Sequence, residues 1–123
     1  MNKILVVDDD PSTRYLLQKI LGKKYKINFA ADGIECLTQL NNDPTIDLII
    51  IDVSMPVLGG LETIDYIKKN GSSKLKSKPI FVISSHRNME YLQKAKKLKA
   101  NAWLSKPPSK KEVLSFVDQF IAT

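Results

Sequence analysis

Five side chains able to bind or react stand directly behind short apolar runs. Asp8 and Asp9 follow Ile4–Val7, Asp52 follows Leu48–Ile51, Ser84 follows Ile80–Ile83, and Lys106 follows Ala102–Leu104 after one serine. Asp8, Asp9 and Asp52 would be three like charges crowded together if those runs lie side by side. Such crowding is unfavourable unless a cation sits among the acids or a pKa rises. A divalent metal is the simpler remedy. An all-oxygen donor set suits Mg²⁺, with Mn²⁺ able to substitute; Mg²⁺ takes one or two carboxylates, keeps several waters and often leaves a place for a phosphate oxygen. A carboxylate can also attack phosphorus, as aspartyl phosphates demonstrate, while a lysine and a hydroxyl neutralise and hydrogen-bond the spreading oxygen charge. Asp52, Lys106 and Ser84 supply those three parts. The absence of a dedicated general base is tolerable, because phosphoryl transfer depends mostly on positioning and electrostatics.

The elements that must bring these residues together can be read from the hydrophobic pattern. Short apolar runs alternate with helix-length amphipathic segments, which predicts βα units around a parallel sheet. Strands are predicted at Ile4–Val7, Lys26–Ala30, Leu48–Ile51, Ile80–Ile83 and Ala102–Leu104. Asp10 and Pro11 open the first helix as N-cap and first-turn proline, Leu16, Leu17, Ile20 and Leu21 form its inner stripe, and Gly22 ends it. The second helix falls in ADGIECLTQL. Gly59 and Gly60 turn into a third helix whose inner face is Leu61, Ile64 and Ile67. Met89, Leu92, Ala95 and Leu98 give a thinner stripe for the fourth, and Val113, Leu114, Phe116, Val117, Phe120 and Ile121 a strong one for the fifth. The polar segment Asn70–Lys78 reads as a mobile loop. In such an open α/β sheet, ligands bind beyond the carboxyl ends of the strands.

Composition sets the remaining bounds. A chain of 123 residues suits one domain, predicted over residues 1–123. The single cysteine, Cys36, cannot close an internal disulfide, and nothing resembles a signal peptide or membrane span, so a reducing cytoplasm is the expected location. The net charge of +6 is unevenly spread. Residues 68–111 carry 13 basic side chains against one acid, Glu90, whereas residues 1–67 carry 6 basic against 10 acidic ones. Such a field favours acidic partners, although lysine runs also serve as plain solvated faces.

The quoted stretches VVDDDP (Val6–Pro11), LIIIDVSMP (Leu48–Pro56), GL (Gly60–Leu61), PIFVISS (Pro79–Ser85) and SKPP (Ser105–Pro108) together resemble the receiver domain of bacterial response regulators. The resemblance covers nearly the whole chain in order and spacing. It implies a flavodoxin-like, doubly wound parallel sheet in the order 2-1-3-4-5 flanked by five helices. It further implies that Asp52 is the phosphoacceptor, that Asp8 and Asp9 bind Mg²⁺ together with Asp52 and the Ser54 backbone carbonyl, and that Ser84 and Lys106 contact the phosphoryl group. Ser84 and Trp103 would be the switch pair, Ser54 and His86 would tune phosphate lifetime, and Lys106–Pro107 would be a cis peptide. The chain departs from the family at Trp103, where tyrosine or phenylalanine is usual, at Gly59 in place of an aspartate, at Pro108 in place of a phenylalanine, and at Lys99 in place of a helix-ending glycine.

By this resemblance the chain is a regulatory phosphoacceptor rather than an enzyme acting on a separate substrate. A sensor histidine kinase or histidine phosphotransfer protein would be the donor and a downstream protein the target. The alternative is a phosphorylation-independent interaction module that uses the basic face of the fourth helix, fifth strand and fifth helix, Lys94–Lys99 with Lys110 and Lys111, to hold an acidic partner. Nucleic acid fits less well, because no recognition-helix motif is evident. A stand-alone receiver of the chemotaxis type and a piece of a larger regulator suit the chain equally. Other chemistries lack their marks: a dehalogenase-type phosphatase needs a second acid where Ser54 stands, and a dinucleotide site needs G-x-G-x-x-G where the chain has DDDPSTRY.

Overall fold

The computed structural model describes residues 2–85 and 89–121. Its first half comprises β1 (Lys3–Val7), α1 (Pro11–Leu21), β2 (Lys26–Ala30), α2 (Gly33–Asn42), β3 (Ile46–Asp52) and α3 (Gly60–Asn70). The second half comprises α4 (Ser73–Lys76), β4 (Ile80–Ser84), α5 (Met89–Lys97), β5 (Ala102–Ser105) and α6 (Lys110–Phe120). The five strands are parallel and ordered β2-β1-β3-β4-β5.

The near-continuous apolar runs of β1, β3 and β4 follow from their burial on both faces. Leu5, Val7, Ile49, Ile51 and Val82 join Cys36 and Leu40 of α2, Leu61, Ile64 and Ile67 of α3, and Ala95 of α5 in one core. Ile4, Val6, Leu48, Ile50 and Ile83 join Leu17 and Leu21 of α1 and Val113 and Val117 of α6 in the other. Each fully buried aliphatic side chain of this kind contributes about 1.5–3 kcal/mol relative to exposure. Helix starts are fixed as their sequences suggest. Asp10 caps α1 by accepting from the Ser12 N–H, Asp32 caps α2 from Glu35, and Ser109 caps α6 from Glu112.

Two expectations need correction. Among the described residues the predicted five helices are six, because the Asn70–Lys78 stretch, read as a loop, contains the single turn α4. Ser72 Oγ accepts from the Leu75 N–H at 3.1 Å, and Leu75 packs onto the α2/α3 core. Four residues are too few for a hydrophobic period to register, so only capping and burial reveal such a turn. Met89, assigned to the inner stripe of its helix, is instead 63% exposed at the first position of α5. Ala95, with Leu98 just beyond the helix, carries the packing on that side.

Candidate functional site

β1 and β3 are hydrogen-bonded neighbours, and β3 pairs with β4, so their carboxyl ends meet at one rim. β3 runs to Asp52 itself, which pairs in register with Ile83 of β4, while Asp8 and Asp9 follow β1 immediately. The turn out of β3 is held close. The Gly60 N–H donates to the Val53 carbonyl at 3.0 Å, and a Cβ on Gly60 would stand 2.0 Å from the Asp52 carbonyl oxygen. Only glycine lets α3 begin so near the end of β3.

One carboxylate oxygen from each of Asp8, Asp9 and Asp52 lies within 4.8 Å of the other two. Asp8 is fully buried, Asp52 is 5% exposed, and Asp9 is exposed at the mouth. Lys106 enters from just past the carboxyl end of β5, with its Nζ 2.9 Å from Asp8 Oδ2 and 3.3 Å from Asp52 Oδ2. The approach to Asp8 Oδ2 is an ion pair without hydrogen-bond geometry, and among the described residues that buried oxygen has no hydrogen-bond donor. A buried acceptor in that condition costs stability until something coordinates it.

Burial, and next the Asp8 charge, push the Asp52 carboxyl above its ordinary value, against the pull of Lys106 and of the Ser54 backbone N–H that donates to it. Burial pulls the Lys106 ammonium down, but Asp8 and Asp52 outweigh it and the lysine is held above its ordinary range. Among the described residues the three clustered carboxylates thus have one ammonium, paired with Asp8 and Asp52, an excess of two negative charges. The converging hard oxygens, the orphaned Asp8 Oδ2 and that excess charge fit a divalent cation of the Mg²⁺ type.

The other residues singled out from sequence are placed as follows. Ser84 is buried at the end of β4, in register with Ser105 of β5. Trp103 sits opposite Val82 in β5 and packs, partly buried, against the α2/α3/α5 core, on the same side of the sheet as Ser84. The Lys106–Pro107 peptide bond is cis. Ser54 is exposed in the turn after β3. His86 lies outside the described residues. Lys99 takes a left-handed conformation, φ 63°, where glycine would be unstrained.

Sequence reasoning missed the supports of the acidic pair. Arg14 Nε donates to the Asp8 carbonyl at 2.6 Å, and its guanidinium lies 5.5 Å from the centre of the Phe29 ring. The Asp10 N–H donates to Asp8 Oδ1 at 2.9 Å, so Asp10 both caps α1 and orients Asp8. Thr63, fully buried, donates to the Gly59 carbonyl at 2.7 Å and steadies the turn between β3 and α3. Nothing local in the sequence marks Arg14 or Thr63, because each acts on a backbone carbonyl. A separate groove of about 580 Å³ lies between α2, α3 and α4, lined by Leu40, Tyr66, Ile67 and Lys78 among others, and shares no residue with the acidic pocket.

Comparison with known proteins agrees with this fold. Residues 4–118 match the family model of the response regulator receiver domain. The chain is 31% identical to the protein PilG of Pseudomonas aeruginosa over 116 residues, covering 94% of this chain and 84% of PilG. It is 33% identical over 115 residues to the response regulator MprA of a Mycobacterium species, covering 92% of this chain but only 47% of that regulator. The crystal structure of the Vibrio cholerae chemotaxis response regulator CheY4 superposes with a TM-score of 0.87 at 32% identity, over 98% of this chain and 99% of that one. No helix among the described residues is long and apolar enough to cross a membrane. This chain belongs to the response regulator receiver domain family.

Proposed function

We propose that the chain is a phosphorylation-activated signalling switch with Asp52 as phosphoacceptor, acting in the cytoplasm. The observation that carries the reading is the convergence of Asp8, Asp9 and Asp52 with Lys106 Nζ at 3.3 Å from the Asp52 carboxylate. A phosphohistidine on a histidine kinase or histidine phosphotransfer protein is the donor. An Asp52 oxygen bonds to phosphorus, the N–P bond breaks, and the nitrogen of the donor histidine leaves with the electron pair.

Asp8, Asp9, Asp52 and the Ser54 carbonyl would hold Mg²⁺, which when bound supplies positive charge to the phosphoryl oxygens. Lys106, whose Nζ is 3.3 Å from Asp52 Oδ2, neutralises further charge. Ser84 is within the rim to hydrogen-bond a phosphoryl oxygen, and its engagement, together with Trp103 on the same side of the sheet, carries the change toward α5 and β5. By the family resemblance, Ser54 and His86 set how long the phosphoryl group survives.

Incubation with Mg²⁺ and acetyl phosphate should add one phosphoryl group to the wild type, detected by intact mass, and change Trp103 fluorescence. Asp52→Asn should do neither. Equal labelling of the two proteins would overturn the assignment.

The exposed lysines 94, 96, 97, 99, 110 and 111 favour a second reading, in which the face of α5, β5 and α6 holds an acidic protein whether or not Asp52 is phosphorylated. Capture of a partner that survives Asp52→Asn and fades with salt would favour it over the switch.

A further inference from the structure

α3 and α5 flank a groove of about 270 Å³ whose walls are opposite in charge. It is lined by Leu61, 8% exposed, and half-buried Leu98, with Glu62 and Asp65 on its α3 wall and Lys94 and Lys97 on its α5 wall. The ion pairs of each wall run along its own helix: Lys69 to Asp65 at 3.1 Å and Lys94 to Glu90 at 3.4 Å. Such exposed pairs are weak and leave the walls available to a partner.

Beyond the groove, the cationic side continues. Lys68 donates to the Lys76 carbonyl at 3.1 Å, and burial, then the charge of Lys99, holds its ammonium below the ordinary lysine range. Lys99 keeps its left-handed backbone despite its Cβ, and so presents a further cation at the end of α5. Residues far apart in sequence thus make one polarised surface, on the side of α5 turned toward α3 and away from α6.

We propose that this groove docks an amphipathic helix of a partner protein, with an apolar stripe on Leu61 and Leu98, an acidic flank on the α5 lysines and a neutral or basic flank on Glu62 and Asp65. A helix is favoured over an extended peptide because it satisfies its own backbone, whereas these helical walls offer no strand edge to a peptide main chain. A nucleic acid is disfavoured because Glu62 and Asp65 repel phosphates on one wall. The assignment does not depend on chemistry at Asp52.

The test uses two fluorescein-labelled synthetic helices of about five turns and identical composition. One carries its glutamates on one flank and its lysines on the other; the second has the same charges scrambled over both flanks. The segregated helix should bind the wild type about tenfold tighter than the scrambled one, and lose that margin in high salt. Lys94→Glu with Lys97→Glu should cost about tenfold. Leu98→Asn should weaken binding while thermal melting shows the variant folded. Lys110→Glu with Lys111→Glu, on the other side of the basic surface, should leave binding unchanged. Equal affinity for the two helices, equal loss at Lys110 and Lys111, tighter binding of a duplex DNA probe, or sedimentation as a dimer closed over Leu98 would each overturn the proposal.

Discussion

The acidic pocket and the exposed face of α5 both concentrate charge of one sign, but by opposite means. In the pocket, Asp8 and Asp52 are buried and come from different strands, so their positions are fixed by the sheet. On α5, the lysines come from one short run and point into water. The same elementary charge therefore has different consequences in the two regions. Burial raises the interaction energy of the carboxylates severalfold, whereas solvent and salt screen the lysines. The pocket is a place where charge costs stability unless a cation compensates it. The lysine surface is tolerated at little cost and gains its meaning from a partner.

The comparison breaks most visibly where the backbone itself makes the pocket. Gly60→Ala would drive a Cβ to 2.0 Å from the Asp52 carbonyl, an atom that cannot rotate away, and should destabilise the fold by about 3 kcal/mol in chemical denaturation. An unchanged midpoint would mean that the turn can shift.

Lys106→Ala comes next. It leaves Asp8 and Asp52 facing each other without their ammonium, and should cost about 2 kcal/mol without divalent ions, less than a fully buried pair because the lysine side chain remains 16% exposed. Millimolar Mg²⁺ should recover much of that loss through binding to the native state. A loss that Mg²⁺ does not touch would contradict the electrostatic account.

Asp52→Asn should act in the opposite direction. The Asp52 carboxyl is held above its ordinary value of 3.8, so between that value and the raised one the native state binds more protons than the unfolded chain. The contribution of Asp52 to wild-type stability falls as pH rises through that window and stays lower above it. Without Mg²⁺, the asparagine variant should be more stable at pH 7 by roughly 1 kcal/mol and lose the advantage toward pH 4. A gap that is the same at both pH values would show that charge is not its cause.

The smallest effect sharpens the contrast from the other side. Lys96 is exposed on α5, and Lys96→Gln should change stability by less than about 0.5 kcal/mol at any salt concentration. A large change there would mean that the lysine surface is part of the fold.

Much of this organisation is legible without coordinates. The β2 strand lies where the pattern puts it, and the other strands extend their predicted spans by one to three residues. β3 extends furthest because Ile46 and Asp52 pair at its two ends, with Lys3 and Ile83. Asp52 was conspicuous because a carboxylate closing a buried apolar run is costly and so needs a reason. α4 was not legible, since its turn is shorter than any period. Arg14 was not, since it holds Asp8 through a carbonyl that every residue possesses.

The sequence by itself determined the alternation of strands and helices, the acids and lysine that end the strands, and the basic character of the second half, because periodicity and charge are local properties. Tertiary structure alone decided that Asp8 Oδ2 lacks a hydrogen-bond donor among the described residues, that the Lys106 ammonium pairs with both Asp8 and Asp52, and that Glu62, Asp65, Lys94 and Lys97 line one groove with Leu61 and Leu98. Those relations join residues dozens of positions apart. They exist only once the sheet and the packing of its helices fix the distances between them.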